Sequence, residues 1–149
     1  MKKRIAIGII AFVFGVAIAL YLAGFFRELI QHIYVFATSN KIRFIGKNFY
    51  IYIDPVYYLS FAFATSLLVL SNWGKKYSTI IKNGILFISL FGIMIFIISA
   101  FDAHFKIIEC TACGNGIRYL HWNEISYWKI LGISSLTGIL PTLIKFYKK

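Results

Sequence analysis

Four long runs of apolar residues, each free of internal charge or nearly so, constrain this chain more than any other feature. The first, Ile5 to Phe26, holds 22 residues without a charge and follows Lys2-Lys3-Arg4. At 1.5 Å per residue such a run crosses a hydrocarbon core roughly 30 Å thick. It is too long for the apolar part of a secretory signal and carries no convincing small-x-small cleavage box, so it reads as a retained span. The second run starts at Asp54-Pro55, a helix cap followed by proline at the first helical position, and continues to about Trp73. The third follows Lys75-Lys76, with Ser78 as its expected cap, and ends at Phe101. The fourth opens near Asn123, carries Tyr127 and Trp128 as interfacial aromatics, and fades before Lys145, with Pro141 expected to kink it. Spans are therefore predicted at about 5–26, 55–73, 79–101 and 124–146, within one integral membrane domain covering 1–149.

Composition agrees. Hydrophobic residues make up 60% of the 149 and charged residues 14%, too few to coat a soluble core of this size. The net charge of +11 is a topology signal. With the N-terminus cytoplasmic, the inner segments hold Lys2, Lys3, Arg4, Lys75, Lys76, Lys82, Lys145, Lys148 and Lys149 and no acid. The outer segments, 27–54 and 102–123 with the start of the last span, hold the other seven bases and all five acids: Glu28, Asp54, Asp102, Glu109 and Glu124. Bases concentrated in short inner segments place both termini in the cytoplasm, in a multi-pass plasma membrane of bacterial inner-membrane type. Lys2, Lys3, Arg4, Lys75, Lys76, Lys148 and Lys149 are then expected against lipid headgroups. Nucleic-acid binding is excluded as the purpose of this charge, because the bases form short clusters rather than a folded basic face.

Within the membrane, Gly8, Ala11, Gly15, Ala19 and Ala23 form a small-residue stripe along the first span, a helix-packing seam for a neighbour in the bundle or for a second subunit. Ser60 with Ala64, Ser89 with Gly92 and Ser99, and Ser134 with Gly138 and Thr142 offer comparable seams. No ionisable residue lies in the middle of a predicted span, which counts against a proton-coupled transporter. Ser134, Ser135, Thr137 and Thr142 are candidates to line a pore, although such hydroxyls usually bond back to their own helix.

Both cysteines, all three histidines and all acids fall on the outer side. Arg27 to Thr38 reads as a helical extension of the first span. Lys41 to Ile53 alternates polar and apolar about a Gly46-Lys47-Asn48 turn, and Phe105–Cys110 with Ile117–Trp122 flank Cys113-Gly114-Asn115-Gly116. The fold class expected is an all-α, four-span bundle with two short outward β-hairpins that could form a small extracytoplasmic sheet. Glu28 with His32, Arg27 with Gln31, and Asp102 with His104 are polar pairs near the boundary. They read as a solvated rim, with acid–base work as the sharper alternative.

Cys110-Thr111-Ala112-Cys113 has three readings. A two-residue spacer brings two sulfurs within bonding reach, so the pair is a candidate for thiol–disulfide exchange. With His104 and His121 it offers two Cys and two His, a tetrahedral set suited to zinc or copper. In an oxidising compartment it closes a structural disulfide. Four spans with outward cysteines loosely resemble the bacterial inner-membrane, quinone-linked disulfide-forming enzymes. That likeness implies electron transfer through the pair, but the second cysteine pair those enzymes use is missing here. Four spans under an outer sheet are also similar in layout to claudin-like proteins, without that family's Trp, Gly-Leu-Trp and paired-Cys signature in the first outer segment.

The function expected is that of a small non-enzymatic subunit or interaction protein using its outer hairpins or its helix seam. The alternative is a membrane redox or metal-handling protein centred on Cys110 and Cys113. No catalytic residue and no resident cofactor are expected, and the partners are the bilayer and another protein or a second copy.

Overall fold

In a computed structural model, the described residues are 2–39, 41–46, 55–108 and 118–147. They form α1 (Lys2–Thr38), β1 (Ile42–Ile45), α2 (Pro55–Ser71), α3 (Tyr77–Ile108), β2 (Arg118–His121) and α4 (Tyr127–Tyr147), with a 3-10 turn at Trp122–Glu124 before α4. A helix satisfies its own backbone, which is why an apolar chain with lipid for solvent takes this form.

Three of the helices, α1, α3 and the segment leading through α4, are long and apolar enough to cross a membrane. At 17 residues α2 spans only about 26 Å. It runs antiparallel to both α1 and α3, which point the same way, and lies along the part of α1 from Gly8 to Phe26. Phe26 of α1 meets Phe91 of α3 edge-on with ring centroids 5.2 Å apart, and Tyr34 of α1 bonds Asp102 of α3. At the opposite end Asn83 of α3 donates to Asn72, just past α2, at 2.6 Å. Each of α1 and α4 therefore packs against both α2 and α3.

The α1–α2 contact is set by small residues. A Cβ on Gly15 would lie 2.2 Å from the Thr65 hydroxyl and 2.8 Å from the Ala62 Cα, so backbone meets backbone there. One end of the same face sets Gly8 against Leu70, with the Ser66 hydroxyl donating to the Gly8 carbonyl at 2.9 Å. Farther along, the Tyr57 hydroxyl donates to the Ala19 carbonyl at 3.0 Å. Ala19 and Ala23 are buried and Ala11 half-buried. Phe26, Phe61, Phe87 and Phe91 fill the centre as an aromatic cluster. Gly138 of α4 lies against Phe87, and Gly132 against Val56 and Ser60.

The expected helical extension of the first span forms, while other local expectations change. The helical extension over Arg27–Thr38 is continuous with the span, which makes α1 37 residues and about 55 Å long. Ser78 lies inside the first turn of α3 rather than capping it, and α4 begins at Tyr127 and continues through Pro141.

Where two hairpins were expected, the described residues form one parallel pair in which β1 joins β2 with Ile42 opposite Arg118, Arg43 opposite Tyr119, Phe44 opposite Leu120 and Ile45 opposite His121. Phe105–Ile108 belongs to α3, not to a strand. Propagating an existing helix adds a hydrogen bond for each residue fixed, whereas starting a strand there needs a partner. The expected return strand 49–53 and the turn 113–116 lie outside the described residues.

Gly15→Val is expected to lower stability by about 1–3 kcal/mol, the usual cost of overpacking. Gly84→Ala, where a Cβ meets nothing within 4 Å, should leave stability unchanged or raise it by up to about 1 kcal/mol. Thermal melting of the two purified variants in one detergent checks both.

Candidate functional site at the strand-bearing end

The outer part of α1 sorts its polar residues by helical spacing. Arg27, Gln31, Tyr34 and Thr38 recur at intervals of four, three and four and are half-buried or buried, whereas Glu28, His32 and Val35 share the exposed face. The inward stripe makes the contacts. The Tyr34 hydroxyl donates to Asp102 Oδ2, and Gln31 Nε2 donates to the Tyr127 hydroxyl at 3.0 Å. Thr38 Oγ1 donates to the Tyr34 carbonyl at 2.8 Å. A single face of α1 thus ties α3 and α4 together beyond the apolar runs that end at Phe26 and Phe101. Burial, then the hydrogen bond and negative charge of Asp102, then Tyr127, hold the Tyr34 phenol well above its ordinary range, so it remains a donor.

The strands close over this layer. Phe44 of β1 stacks on Trp122 with centroids 4.2 Å apart and planes 10° from parallel, and it meets Tyr34 edge-on at 6.4 Å. Ile42, Ala103 and Leu120 are buried beneath. His121 is fixed by a reciprocal cap: its Nδ1 accepts from the Asn123 N–H at 3.2 Å, and its own N–H donates to Glu124 Oε1 at 2.9 Å. The opposite ring nitrogen faces Gly46. A Cβ there would fall 1.9 Å from Nε2, and the residue has φ of +81°, so glycine is required on both counts.

The other expected site residues are dispersed. His104 is exposed on α3, while Cys110 and Cys113 lie outside the described residues, so the disulfide and the His104–Cys110–Cys113–His121 metal set stand as proposals. Among the described residues no group of three His, Cys, Asp or Glu side chains is placed to hold a metal ion. Glu28 and His32 are exposed, and Glu28 faces Arg27 at 3.7 Å.

His32 of α1 lines one shallow, mostly apolar depression together with Gly92 and Phe96 of α3. Ser134, Ser135 and Thr137 donate to the carbonyls of Ile130, Leu131 and Ile133 at 2.7–2.8 Å, the back-bonded state that leaves a hydroxyl little to offer a pore. At the other end Lys3, Arg4 and Lys76 are exposed and Lys75 half-buried, whereas Lys148 and Lys149 lie outside the described residues.

Sequence reading singled out Gln31 and Asp102 in pairs with Arg27 and His104; the structure bonds them to Tyr127 and Tyr34. Tyr34 and Tyr127 were missed as partners. The available signal was the 27-31-34-38 periodicity, a polar stripe on a helix whose remaining outer face was already charged.

Tyr34→Phe should cost about 1.5–3 kcal/mol, the range for a hydrogen bond to a charged group, and Gln31→Leu about 0.5–1.5 kcal/mol. Melting curves of the single and double variants in detergent measure both and show whether the two bonds add.

No family model, curated protein or solved structure matches this chain.

Proposed function

We propose that this is a small, non-enzymatic, four-span membrane protein that docks another protein through its strand-bearing end, which faces away from the cytoplasm. The observation that carries this reading is the outward face of the parallel pair. Arg43 and Tyr119 stand opposite each other in register, both are exposed (Tyr119 at 59%), and they are flanked by exposed Lys41 just before β1 and Ile45 at its end. Arginine and tyrosine are the residue types that dominate binding hot spots, and a docking face works best on a rigid support. The Phe44–Trp122 stack and the Tyr34–Asp102 and Gln31–Tyr127 bonds beneath it supply that support. A basic, aromatic face calls for an acidic partner surface. The Gly8–Ala23 seam is a poorer candidate, because its glycines are occupied by α2.

The test is a pull-down of the full chain in native nanodiscs followed by mass spectrometry. A stoichiometric partner should co-purify and be lost from Arg43→Glu/Tyr119→Ala, with the melting temperature retained. Recovery of the same partner with both forms would reject the face.

The second reading, thiol chemistry or metal binding at Cys110 and Cys113, is favoured by their position in the sequence between the end of α3 and β2, with His104 and His121 on those two elements. A redox-active pair should show, under differential alkylation in cells, a thiol fraction that follows the supplied reductant. A structural disulfide should stay closed throughout, and a metal site should yield stoichiometric zinc or copper that is lost from His104→Ala/His121→Ala.

A further inference from the structure

Opposite the face that α1 buries in the bundle, the same helix carries a second stripe. Phe14, Ala17, Tyr21, Phe25, Glu28 and His32 recur at intervals of three, four, four, three and four, the spacing of a helix–helix seam, and all six are exposed. Ala19, Ala23 and Ile30, on the other side of the helix, are buried. At about 100° per residue, Glu28 falls about 20° to one side of Tyr21 around the axis and His32 about 20° to the other. Ile10 and Phe14 straddle Tyr21 in the same way nearer the N-terminus.

Lipid satisfies the apolar members of this stripe. It does not satisfy the polar three. Tyr21 is 88% exposed and lies inside the charge-free run that ends at Phe26. Helical side chains lean toward the N-terminus, which tips its phenol back into that run, where hydrocarbon offers the hydroxyl no partner. His32 borders a shallow depression whose other walls, Leu29, Ile33, Phe36, Gly92 and Phe96, are apolar. Among the described residues, Glu28 meets the adjacent Arg27 at 3.7 Å, and no hydrogen bond or ion pair within the chain engages His32. The outward face of α3 differs, since no ionisable residue lies between Asn83 and Phe101.

The polar groups identify the occupant. Lysine placement inserts every copy in the same sense, so a second copy brings its own Tyr21, Glu28 and His32 to the same depths. A two-fold axis along the membrane normal makes such an interface isologous. It also exchanges sides, so that a residue about 20° to one side of Tyr21 faces a residue about 20° to the other side on the partner helix. Glu28 is thereby set across from the partner's His32, and His32 across from the partner's Glu28, each pair offset by about 6 Å along the axis, which the two side chains span. Tyr21 meets the partner's Tyr21 on the axis itself, where one hydroxyl donates and the other accepts. Ile10 faces the partner's Phe14 in the same manner, and Ala17 leaves room for the backbones to approach. Lys3, in line with the stripe but outside the apolar run, lies at headgroup level, where anionic lipid screens it from the partner's Lys3.

We propose that this chain forms a parallel, two-fold homodimer through the outward face of α1, held by two reciprocal Glu28–His32 pairs and by the Tyr21 hydroxyls. The face is separate from the Arg43–Tyr119 surface, so either can fail without the other.

Sedimentation equilibrium of the full chain in a density-matched mild detergent tests it. The unaltered chain should show a reversible monomer–dimer equilibrium. Glu28→Lys and His32→Glu, each alone, should weaken the dimer by at least about tenfold, and Tyr21→Phe by about threefold. Glu28→Lys/His32→Glu inverts both pairs and should restore affinity to within about threefold of the unaltered chain. All four substitutions lie on exposed positions, so retained melting temperatures separate loss of the interface from loss of the fold. A monomer at every protein-to-detergent ratio overturns the proposal, whether or not another protein co-purifies through this face. So does a dimer that neither single charge variant weakens, or a double variant as weak as the single ones.

Discussion

The contact between α1 and α2 at Gly15 is the constraint on which the other positions depend. Lipid tails are as apolar as the helices themselves, so no hydrophobic drive brings the two together, and association rests on close van der Waals approach and a few polar contacts. Gly15 against Ala62 lets the backbones touch. The hydroxyls of Ser66 and Tyr57, donating to the carbonyls of Gly8 and Ala19, lock the register on either side. With α2 held there, its far end delivers α3 through the Asn72–Asn83 bond, and the phenylalanine cluster closes the centre.

A long α1 follows from the same arrangement and changes what its outer residues meet. Because the helix does not stop at Phe26, Gln31 and Tyr34 are carried up to Tyr127 and Asp102, where a polar layer replaces apolar packing. Arg27 and His32 are brought level with an apolar part of α3. The boundary between lipid-facing and polar surface is thus stepped from one helix to the next. Long side chains in general accommodate such a step by laying their stems on apolar surface and their heads toward polar surroundings.

The same geometry separates two surfaces of different character. At the strand-bearing end, stacked aromatics and hydrogen bonds brace a basic, aromatic face. Nearer the end carrying the termini, an apolar recess lies between α1, α2 and α3.

Much of this was legible in the residues alone. Uncharged runs located the helices, because burying a charge in hydrocarbon is costly wherever it falls. The asymmetry of lysine and acid assigned an end to every polar segment, and the polar extension of the first span followed from its helical spacing. The partners of Tyr34, the parallel joining of β1 to β2, and the openness of Gly84 beside the closure of Gly15 were decided only by tertiary structure. Helical periodicity tells which face a residue occupies but not what stands across from it. A strand's alternation is the same whether it pairs with its sequence neighbour or with a segment more than 70 residues away. A glycine reads identically in sequence whether another backbone or empty space lies over it, and that difference arises only from the angles at which whole helices cross.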